Sequence, residues 1–272
     1  MKRSSKVKLL KALTLVGCFS TGVIYGSIGV IALLSFFKLK EGGADEGSFM
    51  VLLDGFLAGR ILNWLIIAGA ISFIFWRFYE AFKDPYKVGN DMKGILLRTG
   101  AAFSSGADAF IALAALQALY NQHKAPKTGE AVQQQNIVAG ILEKDWGKTA
   151  VIALGAVVLL TAVILCFYGL TRRFTETIKA KDFTRGQRLA VHTLAYAGYI
   201  SRGVILGITG FFLVKAALEN NAALVVNTDK AFDFIGDHIG HPVYILIAAG
   251  TICYGLYMFV LGLHYDIDAD VK

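Results

Sequence analysis

The sequence predicts an all-α polytopic membrane protein, with six transmembrane helices as three parallel two-helix repeats around a pseudo-threefold axis. Three observations lead to that fold class. Of 272 residues, 56% are hydrophobic and only 17% charged, and the mean hydropathy is +0.56, which leaves too little polar surface for a soluble domain of this length. The apolar residues gather into runs longer than the roughly 20 residues needed to cross a hydrocarbon core about 30 Å thick. The chain also repeats itself at a fixed offset. It reads as one transmembrane domain, residues 1–272, with repeat units at 12–84, 96–174 and 193–266.

The six runs lie at about 14–37, 59–82, 96–120, 147–171, 194–218 and 242–264. Helices are required because lipid offers no partner to exposed backbone groups. The first run follows a basic tail, but it is too long for the core of a signal peptide. No A-x-A site follows it before "KLKEGGADEG", so it is expected to be retained. The third run is interrupted by the polar "SSGAD" at 104–108, and the sixth opens with Pro242 near its first turn, where a missing N–H costs little. "GGADEG" in the first outer loop reads as a flexible acidic turn.

Charge sets the expected orientation. With both termini in the cytoplasm, 17 of the 27 Lys and Arg fall on the cytoplasmic side, eight lie in outer loops, and Arg202 and Lys215 sit inside the fifth run. The positive-inside rule favours that arrangement and points to a cytoplasmic (inner) membrane protein. The net charge of +7 is then a topology signal with attraction to anionic lipid headgroups, and it calls for no nucleic acid partner. Cys18, Cys166 and Cys253 all fall in apolar runs, which suits small packing residues better than a disulfide framework.

The repeat appears when residues 16–82 are shifted forward by 181 without a gap. Gly17, Gly22, Gly26, Gly29, Gly55, Gly59 and Gly69 land on Gly198, Gly203, Gly207, Gly210, Gly236, Gly240 and Gly250. Seven of the ten glycines in the window match, where composition alone predicts about one. The middle unit is more diverged: "SSGADAFIAL" aligns on Gly106, and Gly147 answers Gly59 and Gly240. Each unit is a helix, an outer loop and a second helix. An even number of crossings keeps the units parallel, about an axis along the membrane normal. Gly22, Gly26 and Gly29, like Gly203, Gly207 and Gly210, share one helix face, where small residues let backbones approach closely.

The segment "AGYISRGVILGITG" at 197–210 resembles the bacterial domain of unknown function 1206 family. That resemblance spans about residues 12 to 266 and implies six-helix membrane proteins built from three two-helix units. The family's Arg-Gly pair maps onto Arg202 and Gly203, while Thr21 and Ser105 stand at the arginine's place in the other units. It implies no activity and no cofactor.

Asp108 and Arg202 are the sharpest candidates for chemistry. The repeat alignment sets Asp108 level with Ile24 and Ile205, so Arg202 lies about one helical turn away along the axis. An unpaired charge at a helix centre costs about 2.5–3.5 kcal/mol by insertion scales. The two are read as an intramembrane ion pair, with a water-lined site and snorkelling as the alternatives. Lys215 is expected to snorkel to the interface, Asn63 and Gln117 to hydrogen-bond across helices, and His192 to sit at the interface. His238 and His241 are three apart near the outer surface, but their spacing matches no full metal-ligand set. Trp64, Trp76, Tyr79, Trp146, Tyr168 and Tyr257 are expected in an interfacial belt.

No metalloprotease, nucleophile-elbow or phosphate-loop pattern occurs, and none of Pro85, Pro126 and Pro242 interrupts an apolar run. The expected function is non-enzymatic: a packed helical bundle with an interaction or envelope-stabilising role, with no cofactor. Its expected contacts are the lipid bilayer and either a membrane-protein partner or a second copy of itself. The alternative is a small-solute or ion transporter or channel with a pathway near Asp108 and Arg202.

Overall fold

The computed structural model describes residues 3–38, 131–171 and 183–264, with further positions between 44 and 71. Among these residues every regular element is helical. The helices are α1 (Arg3–Phe36), α2 (Val132–Leu142), α3 (Gly147–Leu170), α4 (Arg185–Leu218), α5 (Thr228–Phe234) and α6 (His241–His264). Four of them, α1, α3, α4 and α6, are long and apolar enough to cross a membrane. They fall on the predicted spans 14–37, 147–171, 194–218 and 242–264. Gly59, Asn63, Trp64 and Ile67 of the second span are helical as well. The span 96–120, with Asp108, lies outside the described residues.

Helix ends depart from the hydropathy reading, because an apolar run marks where lipid is and not where the backbone stops. α4 begins at Arg185, nine residues before the predicted start. Thr184 and Gln187 form a capping box there: the Thr184 hydroxyl accepts from the Gln187 N–H, and Gln187 Oε1 accepts from the Thr184 N–H at 2.9 Å. Two donors left over at the helix start are thereby satisfied. At its far end Asn220 takes a positive φ of 50°. The Asn221 N–H then reaches the Ala216 carbonyl at 2.8 Å, while that of Asn220 reaches Ala217, the paired bonds of a Schellman stop. At the end of α1, Lys38 likewise takes a positive φ, 55°, with its N–H on the Ser35 carbonyl. Both α1 and α4 are 34 residues long, and both α3 and α6 are 24.

The long helices pack side by side in the order α3, α4, α6, α1. The main core joins Ile24, Tyr25 and Ile28 of α1, Tyr199 and Ile205 of α4, and Tyr254 and Tyr257 of α6, with Ile67. A second cluster joins Val138 of α2, Val151 of α3 and Leu213 and Ala216 of α4. Large apolar residues on the outside, among them Val163 and Phe167 of α3 and Leu246 and Leu263 of α6, suit contact with lipid.

The bundle end between α4 and α6 is covered by a folded segment. A 3₁₀ turn (Ala222–Leu224), α5 and a π-helical turn (Ile235–Ile239) follow one another, burying Phe232 and Ile235 completely. Gln135 of α2 donates to the Ala223 and Val225 carbonyls. The Ala44 N–H donates to Asp229, and Ala44 is buried. The chain is therefore tied down at Ala44, where the sequence suggested a flexible turn. Gly240, at φ 122°, makes the reversal into α6 that a Cβ would strain.

Candidate functional site

Arg202 occupies the middle of α4 and is 3% exposed. Its guanidinium carbon lies 3.8 Å from the centre of the Tyr25 ring on α1. A cation over a ring face is drawn by the ring quadrupole, and removal from water makes the attraction worth about 2 kcal/mol or more. Tyr25 meets Tyr254 of α6 edge to face, with centroids 5.5 Å apart. Tyr254 meets Tyr199 of α4 at 5.6 Å, and Tyr199 meets Tyr257 at 5.4 Å and Tyr168 of α3 at 5.0 Å. All these pairs take the T-shaped geometry that aromatic quadrupoles favour. Four helices thus supply five tyrosines, four of them buried, and one buried cation to a continuous cluster.

Local sequence explains the convergence. Tyr199 and Arg202 are three apart on α4, and Tyr254 and Tyr257 are three apart on α6, so each pair shares a helix face. Gly198 lets the two helices meet: a Cβ built on it would lie 2.6 Å from the Tyr254 Cα. The sequence reading missed Tyr25, Tyr199 and Tyr254 and set Tyr257 and Tyr168 in an interfacial belt. Tyr257 is fully buried, and Tyr168 is half-buried against Tyr199. Of the five tyrosines only Tyr199, three residues from Arg202 in an apolar run, carried a local signal. Trp64 and Trp146 are exposed.

The glycines named from the sequence occupy two helix contacts. A Cβ on Gly22 would come 2.9 Å from the Gly255 carbonyl oxygen of α6, and one on Gly29 would come 2.7 Å from that of Ala248. On α4, a Cβ on Gly203 would meet the Cys166 sulfur and the Ala162 carbonyl of α3, and one on Gly210 would lie 3.0 Å from the Leu159 nitrogen. The middle member of each triad behaves differently. Gly26 has nothing within 4 Å of such a Cβ, and Gly207 has only the Ala162 methyl at 3.8 Å. The Gly26 backbone is nonetheless part of the contact, since a Cβ on Gly255 would strike it.

The remaining residues fall as follows. Asn63 is fully buried, while Gln117 lies outside the described residues. Lys215 is partly exposed, 4.0 Å from Glu219 and beside the Phe212 ring. His238 stacks on Phe234 at 4.6 Å, and His241 meets Phe36 at 5.3 Å. Among the described residues no group of three His, Cys, Asp or Glu could hold a metal. Two of the three cysteines fill space against glycines: Cys18 against Gly262, and Cys166 against Gly203.

Comparison with known proteins agrees in length and position. The uncharacterized protein YxxB of Bacillus subtilis (strain 168) is 24% identical over 250 residues, covering 91% of this chain and 88% of its own. No solved structure matches. One family model, described as Domain of Unknown Function (DUF1206), matches twice, at residues 16–84 and 197–264. These two regions together take in half of the chain and hold both glycine triads and Arg202, and the chain belongs to the DUF1206 family.

Proposed function

We propose that this chain is a non-enzymatic integral membrane protein of a bacterial cytoplasmic membrane. Both termini are cytoplasmic, and the packed helical bundle serves an interaction or envelope-stabilising role. In this reading three units of common descent form a ring, each first helix packing on the second helix of the unit before it. Gly22 and Gly29 set the first helix of unit one on α6 of unit three, and Gly203 and Gly210 set α4 of unit three on α3 of unit two. The spans 59–82 and 96–120 complete the circle, and Asp108, about one helical turn from the level of Arg202, is its intramembrane ion-pair partner.

The observation that supports the packed reading is the burial of Arg202 against tyrosine rings among the described helices α1, α4 and α6. A guanidinium has five N–H donors, so a ring face and a carboxylate can both engage it. Charge held this way in a bilayer stabilises a fixed arrangement of helices.

Flux measurement on the purified chain in liposomes tests the proposal. Release of entrapped Na⁺, K⁺, protons and small anions should match empty liposomes. Flux above that level, lost in Arg202→Gln with the fold intact, would instead establish a pathway at this residue.

A further inference from the structure

One face of α4 outside the tyrosine cluster has the composition of a lipid site. α3 ends at Leu170, and its last turn lies beside Tyr196 and Tyr199, since a Cβ on Gly169 would be 3.0 Å from the Tyr199 Cβ and 3.6 Å from the Tyr196 carbonyl. From Tyr196 back to Arg185, α4 runs on past the end of α3 for roughly 16 Å at 1.5 Å per residue. Along that stretch Arg185, Arg188, Leu189, His192, Thr193 and Tyr196 line an open concavity. Their spacing of three and four residues sets them on one helix face.

The face is graded. Arg185 and Arg188 are exposed at its far end, and Leu189 and Tyr196, at 70% and 48% exposed, lie toward α3. α3 then exposes Leu170 and Phe167. Exposed leucine and tyrosine on the same face as arginine suit a helix at the boundary between lipid and water. Arg188 spends one N–H on the Phe183 carbonyl at 3.3 Å, which holds the side chain and leaves donors for an anion. By sequence, the segment 172–182 joining α3 to α4 adds Arg172, Arg173, Lys179 and Lys181 against Glu176 and Asp182. Positive charge therefore gathers at this end.

We infer that this face binds a phospholipid with an anionic headgroup, its phosphate between Arg185 and Arg188 and an acyl chain along Leu189 and Tyr196. The inference requires only that the helices cross a membrane, and it does not depend on a closed or inert bundle.

The test uses the full chain in neutral detergent, with unfolding followed by tryptophan fluorescence as phosphatidylglycerol or phosphatidylcholine is added. Phosphatidylglycerol should raise the unfolding midpoint at a concentration about 25-fold lower than phosphatidylcholine, given about fivefold for each of the two cations near a headgroup. Arg185→Gln/Arg188→Gln should bring the two lipids together. Arg185→Gln alone, which spares the Phe183 contact, should remove about half of the difference on a logarithmic scale. Lys144→Gln/Lys148→Gln, exposed cations on another part of the chain, should change nothing. Equal responses to the two lipids in the native chain would overturn the inference, as would an undiminished preference in both arginine variants. An equal loss in the lysine variant would reduce it to bulk charge. A matching shift from inorganic phosphate alone would assign the arginines to a free anion instead of a lipid.

Discussion

A guanidinium in the middle of a membrane helix must replace its water with something, and here part of the replacement is an aromatic face. Arg202 lies over Tyr25, and Tyr25 is itself held by Tyr254, so the contact ties α1 to α4 across α6. Arg202→Gln and Tyr25→Leu should each destabilise the protein, and their cycle should show coupling of about 1–2 kcal/mol. Reversible unfolding in detergent measures it, and strict additivity would show that the stacking contributes nothing. The same cycle with Asp108→Asn examines the proposed ion pair, for which coupling of about 0.5–3 kcal/mol is expected. Arg202 was visible as a charge in an apolar run. Tyr25 was not, because nothing local distinguishes a tyrosine that faces a cation from one that faces lipid.

Helix contacts decide which glycines matter. Adding a methyl group at Gly255 drives it into the Gly22 and Gly26 backbones, and the helices must separate. Gly255→Ala should therefore cost about 1–3 kcal/mol, as other overpacked sites do. Gly26→Ala places its methyl in open space and should stay within about 0.5 kcal/mol of the native chain. Thermal unfolding of the two variants side by side checks this contrast, and equal losses would refute the geometric account. A spacing of four and then three residues marked the whole triad in the sequence, yet only its outer members stand tight against a neighbour. Spacing fixes which face a glycine occupies, whereas the crossing point of two helices fixes how near the neighbour comes. Helix ends divide similarly. The T-x-x-Q box before α4 can be read directly from Thr184 and Gln187, whereas the αL stop at Lys38 carries no glycine to announce it.

At the scale of the molecule, α3, α4, α6 and α1 pack each on the next, and the folded segment with α5 ties into residues from elsewhere in the chain through Gln135 and Asp229. If each first helix packs on the preceding second helix, Gly106 corresponds to Gly22 and Gly203, and Ile74 stands where Gly255 stands. Cysteines at Gly106 and Ile74, in a chain with Cys18, Cys166 and Cys253 replaced by serine, should cross-link within the membrane. A cysteine pair at Gly106 and Leu246 should not. Cross-linking of the second pair alone would break the proposed ring.

The sequence by itself determined the membrane class, the apolar segments, the position of Arg202 and the return of the glycine pattern after 181 residues. Each of these follows from composition or from order along the chain, which local physics reads without knowing any partner. Only the tertiary structure decided that Arg202 meets Tyr25, that Tyr257 is buried, and that Gly255, and not Gly26, is the tight position of their contact. Those facts belong to pairs of helices far apart in sequence, and they exist only once packing has set the distance between them.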